Sequence, residues 1–466
     1  MKTLPLIEPT KLTDEQIRLG FELMLSSSLS VKPNEGLLLV IFDESFRPYV
    51  DIFSEVLVEF NINADFKFIP QKYQLMLTEK LKTEDLPESL KISFEQPTAA
   101  LCFLSGWTEG QSLRQAIVGN LRQNKHCRLA HVPGLTDDIL EVVSRTDFDS
   151  IVDDCELMAW VLGNGEQASI ETSDSRGIKY LLHLDLGGWT NEPLMSPGII
   201  EKGSWGNFPP AETFCCPRRD LVSGEICING SIPGVVLNNN EEIVLKFVSG
   251  RLVEWNTLHP EGAARVARFF EDQKRIAEKE GDENWNSFCE LGIGLNHAIT
   301  HLTGNSLFDE KIAQTIHIAI GGNTIFGHPI KSNVHFDLVT KNPSLLIDDL
   351  VVIKEGNILS RELRQYREEW RPKKADITED KMLRINPSEV IEINGMLYRR
   401  LRAGGRLGSV AMANCMVAEQ LAALYRDICE KPVRYGDLVN GIEHKDDLNI
   451  MDLVSYLWHY RALLIS

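Results

Sequence analysis

Apolar residues run without a break from Leu37 to Phe42, between Glu35-Gly36 and Asp43-Glu44. A run of that length predicts a strand buried on both faces. The stretch from about Phe46 to Phe60 has helical spacing, and Ala64 to Ile69 predicts another strand, so the three together read as a βαβ unit. Ala99–Leu104 and Cys127–Val132 predict further strands, with helical stretches between and after them. Ahead of all these, residues 14–29 predict a helix with Thr13 as its N-cap, because Thr13 and Gln16 have the spacing of a capping box. The first 190 residues or so therefore predict an open α/β domain with a parallel sheet. No Gly-x-Gly-x-x-Gly turn follows the first strand, so the pattern favours a substrate-cleft or dimerisation domain over a dinucleotide site.

Period-two alternation takes over near residue 317. In Thr315-Ile316-His317-Ile318-Ala319-Ile320 the isoleucines share one face, and His317 shares the other with Thr315 and Ala319. In Asn333-Val334-His335-Phe336-Asp337-Leu338-Val339 the apolar Val334, Phe336 and Leu338 alternate with Asn333, His335, Asp337 and Val339. Each strand thus predicts an apolar side for a core and a side presenting imidazole or carboxylate. A lone histidine in a strand is more often a satisfied core residue than a ligand, and His335-x-Asp337 alone could be a hydrogen-bonded pair. Two histidines and an aspartate in this pattern are also plausible ligands for a divalent metal. Further carboxylates lie close in sequence. Glu290 opens a Gly-containing run to Asn296, Glu310 sits in Phe308-Asp309-Glu310-Lys311, and Glu212 follows Phe208-Pro209-Pro210-Ala211.

Toward the C-terminus the pattern changes again. Arg361 to Lys374 is dense in charge of both signs and predicts a solvated helix ending in a linker. Val390 to Arg399 predicts a hairpin with Asn394-Gly395 at its turn. Val417, Leu421, Leu424 and Ile428 form one helical stripe, Arg434 to Ile442 predicts a shorter helix, and Leu453, Leu457, Tyr460 and Leu464 predict a last one.

With 466 residues, a length prior suggests about three domains. Hydrophobic residues are 43% and charged residues 25%, as in ordinary soluble domains. A net charge of −19 argues against nucleic acid as a partner. Nine scattered cysteines with no Cys-x-x-Cys argue against a disulfide scaffold or a thiolate zinc knuckle. The N-terminal residues show no secretory pattern and no stretch is apolar enough to span a bilayer, so the expectation is a cytoplasmic protein without membrane contact. His297 and His301 are four apart but lack the glutamate of a zincin, and no Gly-x-Ser-x-Gly elbow is present.

Several segments resemble the catalytic domain of the aminopeptidase T family of metallopeptidases. They are Asn207–Phe214, Glu290–Asn296, Gly304–Lys311, Thr315–Gly321 and Ser332–Asp337. The resemblance implies that Glu212, Glu290, Glu310, His317, His335 and Asp337 hold two divalent ions, with Glu290 bridging. Zinc, cobalt or manganese would suit such donors, and iron is possible. It also implies a homodimer. Peptidases of this family carry a tyrosine a few residues after the histidine matching His317, whereas here the chain reads Gly321-Gly322-Asn323-Thr324-Ile325-Phe326. A related branch, the 2,5-dihydroxypyridine dioxygenases, uses two histidines and an aspartate for one iron, and His317, His335 and Asp337 could form such a triad. The C-terminal hairpin and helices resemble a winged helix and the PqqD-like elements that hold leader peptides, which accept a peptide as an added strand.

The expected organisation is an N-terminal open parallel α/β domain over 1–194 and an α+β metal domain of aminopeptidase T type over 195–357. A charged linker over 358–377 and a small winged-helix-like recognition or interaction domain over 378–466 complete it. The expected function is a divalent-metal-dependent hydrolase acting on a peptide, in maturation of a ribosomally made peptide, with a leader peptide at 378–466. The catalytic base is not identifiable from sequence. The alternatives are a non-hydrolytic metalloenzyme of peptide natural-product biosynthesis, including single-iron oxygenase chemistry, and a catalytically inactive peptide-binding protein on the hydrolase scaffold.

Overall fold

Thr13 caps the first helix as its spacing predicts. Its hydroxyl accepts from the Gln16 backbone N–H at 3.2 Å, and the Gln16 side chain accepts from the Thr13 N–H at 3.0 Å. The computed structural model describes residues 12–41, 44–69, 95–104, 117, 119–121, 123–133, 135–188, 191–259, 263–403, 406–412, 415–429, 431–441 and 450–466. The first α-helix is shorter than expected, Asp14–Leu23, and continues as a π-helical turn over Met24–Ser28. There the Ser26 hydroxyl donates to the Glu22 carbonyl at 2.7 Å, a local bond that competes with the regular ladder. The next helix is α-helical only over Val50–Glu59. Its start, Glu44–Tyr49, is 3₁₀ and contains Pro48, which disfavours the α conformation in the residue before it.

The chain clusters into two compact units. The first comprises Met1–Val152, Ser196–Glu212 and Leu295–Ala313, and the second comprises Asp153–Met195, Thr213–Gly294 and Gln314–Ser466.

In the first unit a five-stranded sheet runs in the order Asn63–Phe68, Gly36–Ile41, Ala99–Leu104, Arg128–Pro133, Trp205–Asn207, with every pair parallel. The unbroken apolar run explains the interior position of its second strand. Leu37, Leu39 and Ile41 enter one core, while Leu38 and Val40 enter another on the opposite face. The first core contains a knot of rings, with Phe46 stacked on Phe103 at 4.6 Å and Phe21 edge-on to Phe53 at 4.5 Å.

In the second unit an eight-stranded sheet runs in the order Arg251–Thr257, Ile243–Val248, Ser223–Ile228, Lys179–Asp185, Gln167–Ser173, Ser344–Ile347, Leu350–Lys354, Asn357–Ile358. A seven-stranded sheet runs in the order Val235–Val236, Ser231–Ile232, His335–Lys341, Thr315–Gly321, Phe288–Gly294, Glu212–Cys215, Leu194–Met195. Its strand Thr315–Gly321 is buried along its whole length, so both faces meet packed side chains. The following strand starts at His335, and Asn333 and Val334 precede it.

Residues 375–465 gather their own apolar cluster within the second unit, around Leu383, Leu397, Leu421, Val454 and Leu457. Asn394 and Gly395 both have positive φ, 50° and 80°, and join Val390–Ile393 to Met396–Ala403 as the sequence predicts. The helical stripe Val417, Leu421, Leu424 and Ile428 is buried in the helix Cys415–Cys429. The last helix, Ile450–His459, ends before Leu464, which the stripe placed on it. Arg461 turns left-handed at φ 52°, and Leu463–Ile465 becomes a strand against Met382–Ile385. The charged segment forms a helix at Ser360–Glu369 with only Leu363 fully buried. The shorter expected helix is Tyr435–Gly441, and residue 442 lies outside the described residues. Cys102, Cys127, Cys155, Cys215, Cys216, Cys227, Cys289 and Cys429 are free thiols. Among the described residues no helix is long and apolar enough to cross a membrane.

Candidate metal centre

The antiparallel pairing of Phe288–Gly294 with Thr315–Gly321, and of Thr315–Gly321 with His335–Lys341, lays Glu290, His317, His335 and Asp337 across three adjacent strands of the second unit. Register puts Gly292 opposite His317. A Cβ at Gly292 would fall 1.9 Å from His317 Nε2 and 2.1 Å from its Cε1, so the missing side chain is the space the imidazole occupies. The glycine serves the facing ring.

Four side chains converge there. His317 Nε2 is 3.3 Å from Glu290 Oε1, and His335 Nε2 is 3.5 Å from both Glu290 Oε2 and Asp337 Oδ1. Glu290 and Asp337 are buried and His335 is partly so. His335 Nδ1 lies 2.7 Å from the Gly322 carbonyl, which can only accept. That contact puts the proton on Nδ1 and turns Nε2 toward the carboxylates. Cys289 Sγ touches the same Nδ1 at 3.6 Å, and the Phe326 ring packs edge-on to the imidazole at 5.6 Å. Asp282 holds the lead-in to His335, accepting from Ser332 Oγ at 2.6 Å and the Asn333 N–H at 2.7 Å.

Burial pushes the Glu290 carboxyl above its ordinary pKa, and Asp337 adds to this, while the two histidines pull it down without cancelling the rise. Burial opposes charge on His335, yet Cys289 and Asp337 outweigh it and hold the imidazole well above its ordinary value.

Do these residues fit a metal? Glu290 Oε2 is buried and makes no hydrogen bond. Metal–ligand bonds of about 2.0–2.2 Å around a tetrahedral ion separate neighbouring donors by roughly 3.4 Å. The observed 3.3–3.5 Å separations match that spacing. Glu290, His335 and Asp337 form a group whose donor atoms all lie within 4.8 Å of one another. Glu290, His335 and Asp337 fit a divalent ion, and His317 faces the other oxygen of Glu290.

Glu212 and Glu310 belong to the first unit, and the structure brings them together around Lys311. Lys311 Nζ is 2.5 Å from Glu212 Oε1 and donates to Glu310 Oε1 as well. The lysine side chain is 0% exposed. Burial works against its charge, but Glu212 and Glu310 more than restore it, and its pKa is raised. Asp309 sets up this turn, accepting from the Thr303 N–H at 2.7 Å and the Gly304 N–H at 2.9 Å. Asn296 ties two segments of the unit, donating to the Pro210 carbonyl at 3.0 Å and, from its backbone N–H, to the Lys311 carbonyl at 2.8 Å.

Lys311 and Gly292 lay inside the segments read from sequence but had no assigned role. Their signal is spatial: a lysine beside a glutamate is ordinarily solvated, and only the fold shows it buried. Sequence reading also gave no role to a cavity of ≈ 740 Å³ in the second unit, lined by Cys216, Arg218, Arg219, Asn323, His328 and Ile330 among others. It adjoins the metal strands through Asn323, whose amide donates to the Cys289 carbonyl at 3.3 Å.

No family model matches the sequence, and no curated protein does either. Among solved structures, a 2,5-dihydroxypyridine dioxygenase from Pseudomonas putida KT2440 is similar with a TM-score of 0.56 at 14% identity, covering 76% of this chain and 99% of that one. Wild-type AmpT from Thermus thermophilus is similar with a TM-score of 0.50 at 15% identity, covering 74% of this chain and 99% of that one. These likenesses show an aminopeptidase T-like fold.

Proposed function

We propose that the chain is a metal-dependent hydrolase acting on peptides, with its metal held by Glu290, His317, His335 and Asp337. The observation that carries this reading is the convergence of two imidazole Nε2 atoms on the two oxygens of one buried glutamate, with a second carboxylate alongside. A divalent ion bound there supplies a water of lowered pKa and polarises a substrate carbonyl. The chain does the rest. The Gly322 carbonyl fixes the His335 tautomer. Gly292 leaves room for the His317 ring. Phe326 packs edge-on against the His335 ring. The 740 Å³ cavity, with Arg218 and Arg219 on its wall, would receive the substrate and favour one with a free carboxylate.

The test joins metal content to turnover. Purified protein should carry metal that Glu290→Gln and His335→Ala both lose by elemental analysis, and a panel of short peptides should be cut only by the loaded wild type. Metal content unchanged in both variants would remove this site. If residues 378–466 hold a leader, a long precursor-type peptide should show a lower KM than short ones, and equal KM values would remove that role.

A second reading is favoured by one observation: Phe326, not a tyrosine, packs on His335. Two imidazoles and Asp337 would then hold a single ferrous ion for oxygenase chemistry. Oxygen consumption by the iron-loaded protein, with no peptide cleavage, would decide for it.

A further inference from the structure

We infer that Lys311 supplies, from within the chain, the positive charge that Glu212 and Glu310 would otherwise take from a metal, so the protein holds one divalent ion per chain and not two. The inference rests on the metal reading above for Glu290, His317, His335 and Asp337, and concerns the two remaining members of the six-residue set.

Three observations carry it. The Lys311 side chain is wholly buried, with Nζ bonded to one oxygen of each glutamate. Its backbone is pinned, because the Lys311 carbonyl accepts from the Asn296 N–H and the Lys311 N–H donates to the Phe308 carbonyl at 3.3 Å. The carboxylates themselves are buried, at 5% exposure each. An ion ligated by those oxygens would sit about 2.0–2.2 Å from them, in the space between the carboxylates that the ammonium now fills. Its arrival would expel the ammonium from both partners with no solvent to receive it, and a buried charge stripped of its partners is strongly unfavourable. Two buried carboxylates need a cation, and a covalently attached one cannot diffuse away. Lys311 therefore makes this half of the set permanent, whereas Glu290 and Asp337 face imidazoles that can ligate an exchangeable ion alongside them.

The consequence is chemical. A single ion must both lower the pKa of water and polarise the carbonyl, with no second metal to divide these tasks.

The experiment counts metal. Full-length protein is stripped with chelator, reloaded with zinc(II), and read by native mass spectrometry and elemental analysis. One zinc per chain is expected. Two per chain overturns the inference and leaves the metal reading standing, while none overturns that reading and the inference with it. Glu310→Gln should still bind one zinc, and a drop from the wild-type count would make Glu310 a ligand. Lys311→Met, neutral and similar in length, should rise to two zinc per chain, and a count that stays at one shows that the ammonium is not what keeps a second ion out. Should Lys311→Met not fold, the wild-type and Glu310→Gln counts decide alone.

Discussion

Gly292 shows how much a single missing side chain can position. The facing imidazole takes the volume a methyl group would occupy, with Cβ contacts below 2.2 Å to two ring atoms. Gly292→Ala must displace either the His317 ring or the strand, and overpacking of this kind destabilises by about 1–3 kcal/mol. A shifted ring also misaligns Nε2, so zinc affinity should fall by about 10–100-fold, the usual range for losing a group that orients a ligand. Zinc titration beside a urea melt checks both, and an unchanged affinity would mean His317 is not a ligand. At this scale the sequence singled out side chains and was silent about their surroundings. Resemblance singled out Glu290, His317, His335 and Asp337, which do converge. The meeting of Lys311 with Glu212, 99 positions away by number, depends on folding that no local pattern encodes.

Strands and helices were the most legible elements where one local rule governed them. The capping box at Thr13, the parallel strands at 37, 64, 99 and 127, and the Asn394-Gly395 turn all follow from short-range chemistry. Legibility failed where two rules competed. Pro48 tightened the start of a helix, and Arg461 ended one whose apolar stripe ran on to Leu464. Just before Arg461, His459 at the end of its helix carries a testable electrostatic consequence. Burial, aided by Arg399 and Lys373, lowers its pKa from the ordinary 6.5 to about 4. It contacts Asn164 Oδ1 at 3.2 Å and the Trp370 ring at 5.2 Å. The unfolded chain takes up this proton near its ordinary pKa, and the folded chain resists it down to about 4. Stability is therefore whole above neutrality and declines as pH falls between these values, by about 2 kcal/mol at around pH 5. Urea midpoints at about pH 7.5 and about pH 5 should show this decline in wild type, and His459→Gln should flatten it. An equal decline in the variant would move the cause elsewhere.

At the scale of the molecule the chain is interleaved. The first unit is completed by Ser196–Glu212 and Leu295–Ala313, which return to it after the chain has begun the second. Trp205–Asn207 supplies the fifth strand of its parallel sheet, while Phe208, Ile299 and Phe308 enter its core. A fragment spanning 1–194 lacks all of these. We expect it to lose cooperative unfolding in urea and to expose apolar surface to a hydrophobic dye, and a sharp transition like that of the intact chain would contradict this. Composition and charge could not reveal the interleaving, because the returning segments look in sequence like parts of whatever surrounds them.

The interleaving has a bearing on synthesis. A ribosome delivers residues in order, at about 5–20 per second, and domains ordinarily close behind it as they emerge. Here the first unit lacks one of its segments until Leu295–Ala313 has left the exit tunnel. For much of translation its open edge at Arg128–Pro133 waits for a partner strand or a core segment still to come. Glu212 emerges well before Lys311, the ammonium that neutralises it. A nascent chain in that interval presents an unpaired sheet edge and carries Glu212 ahead of the ammonium that later neutralises it.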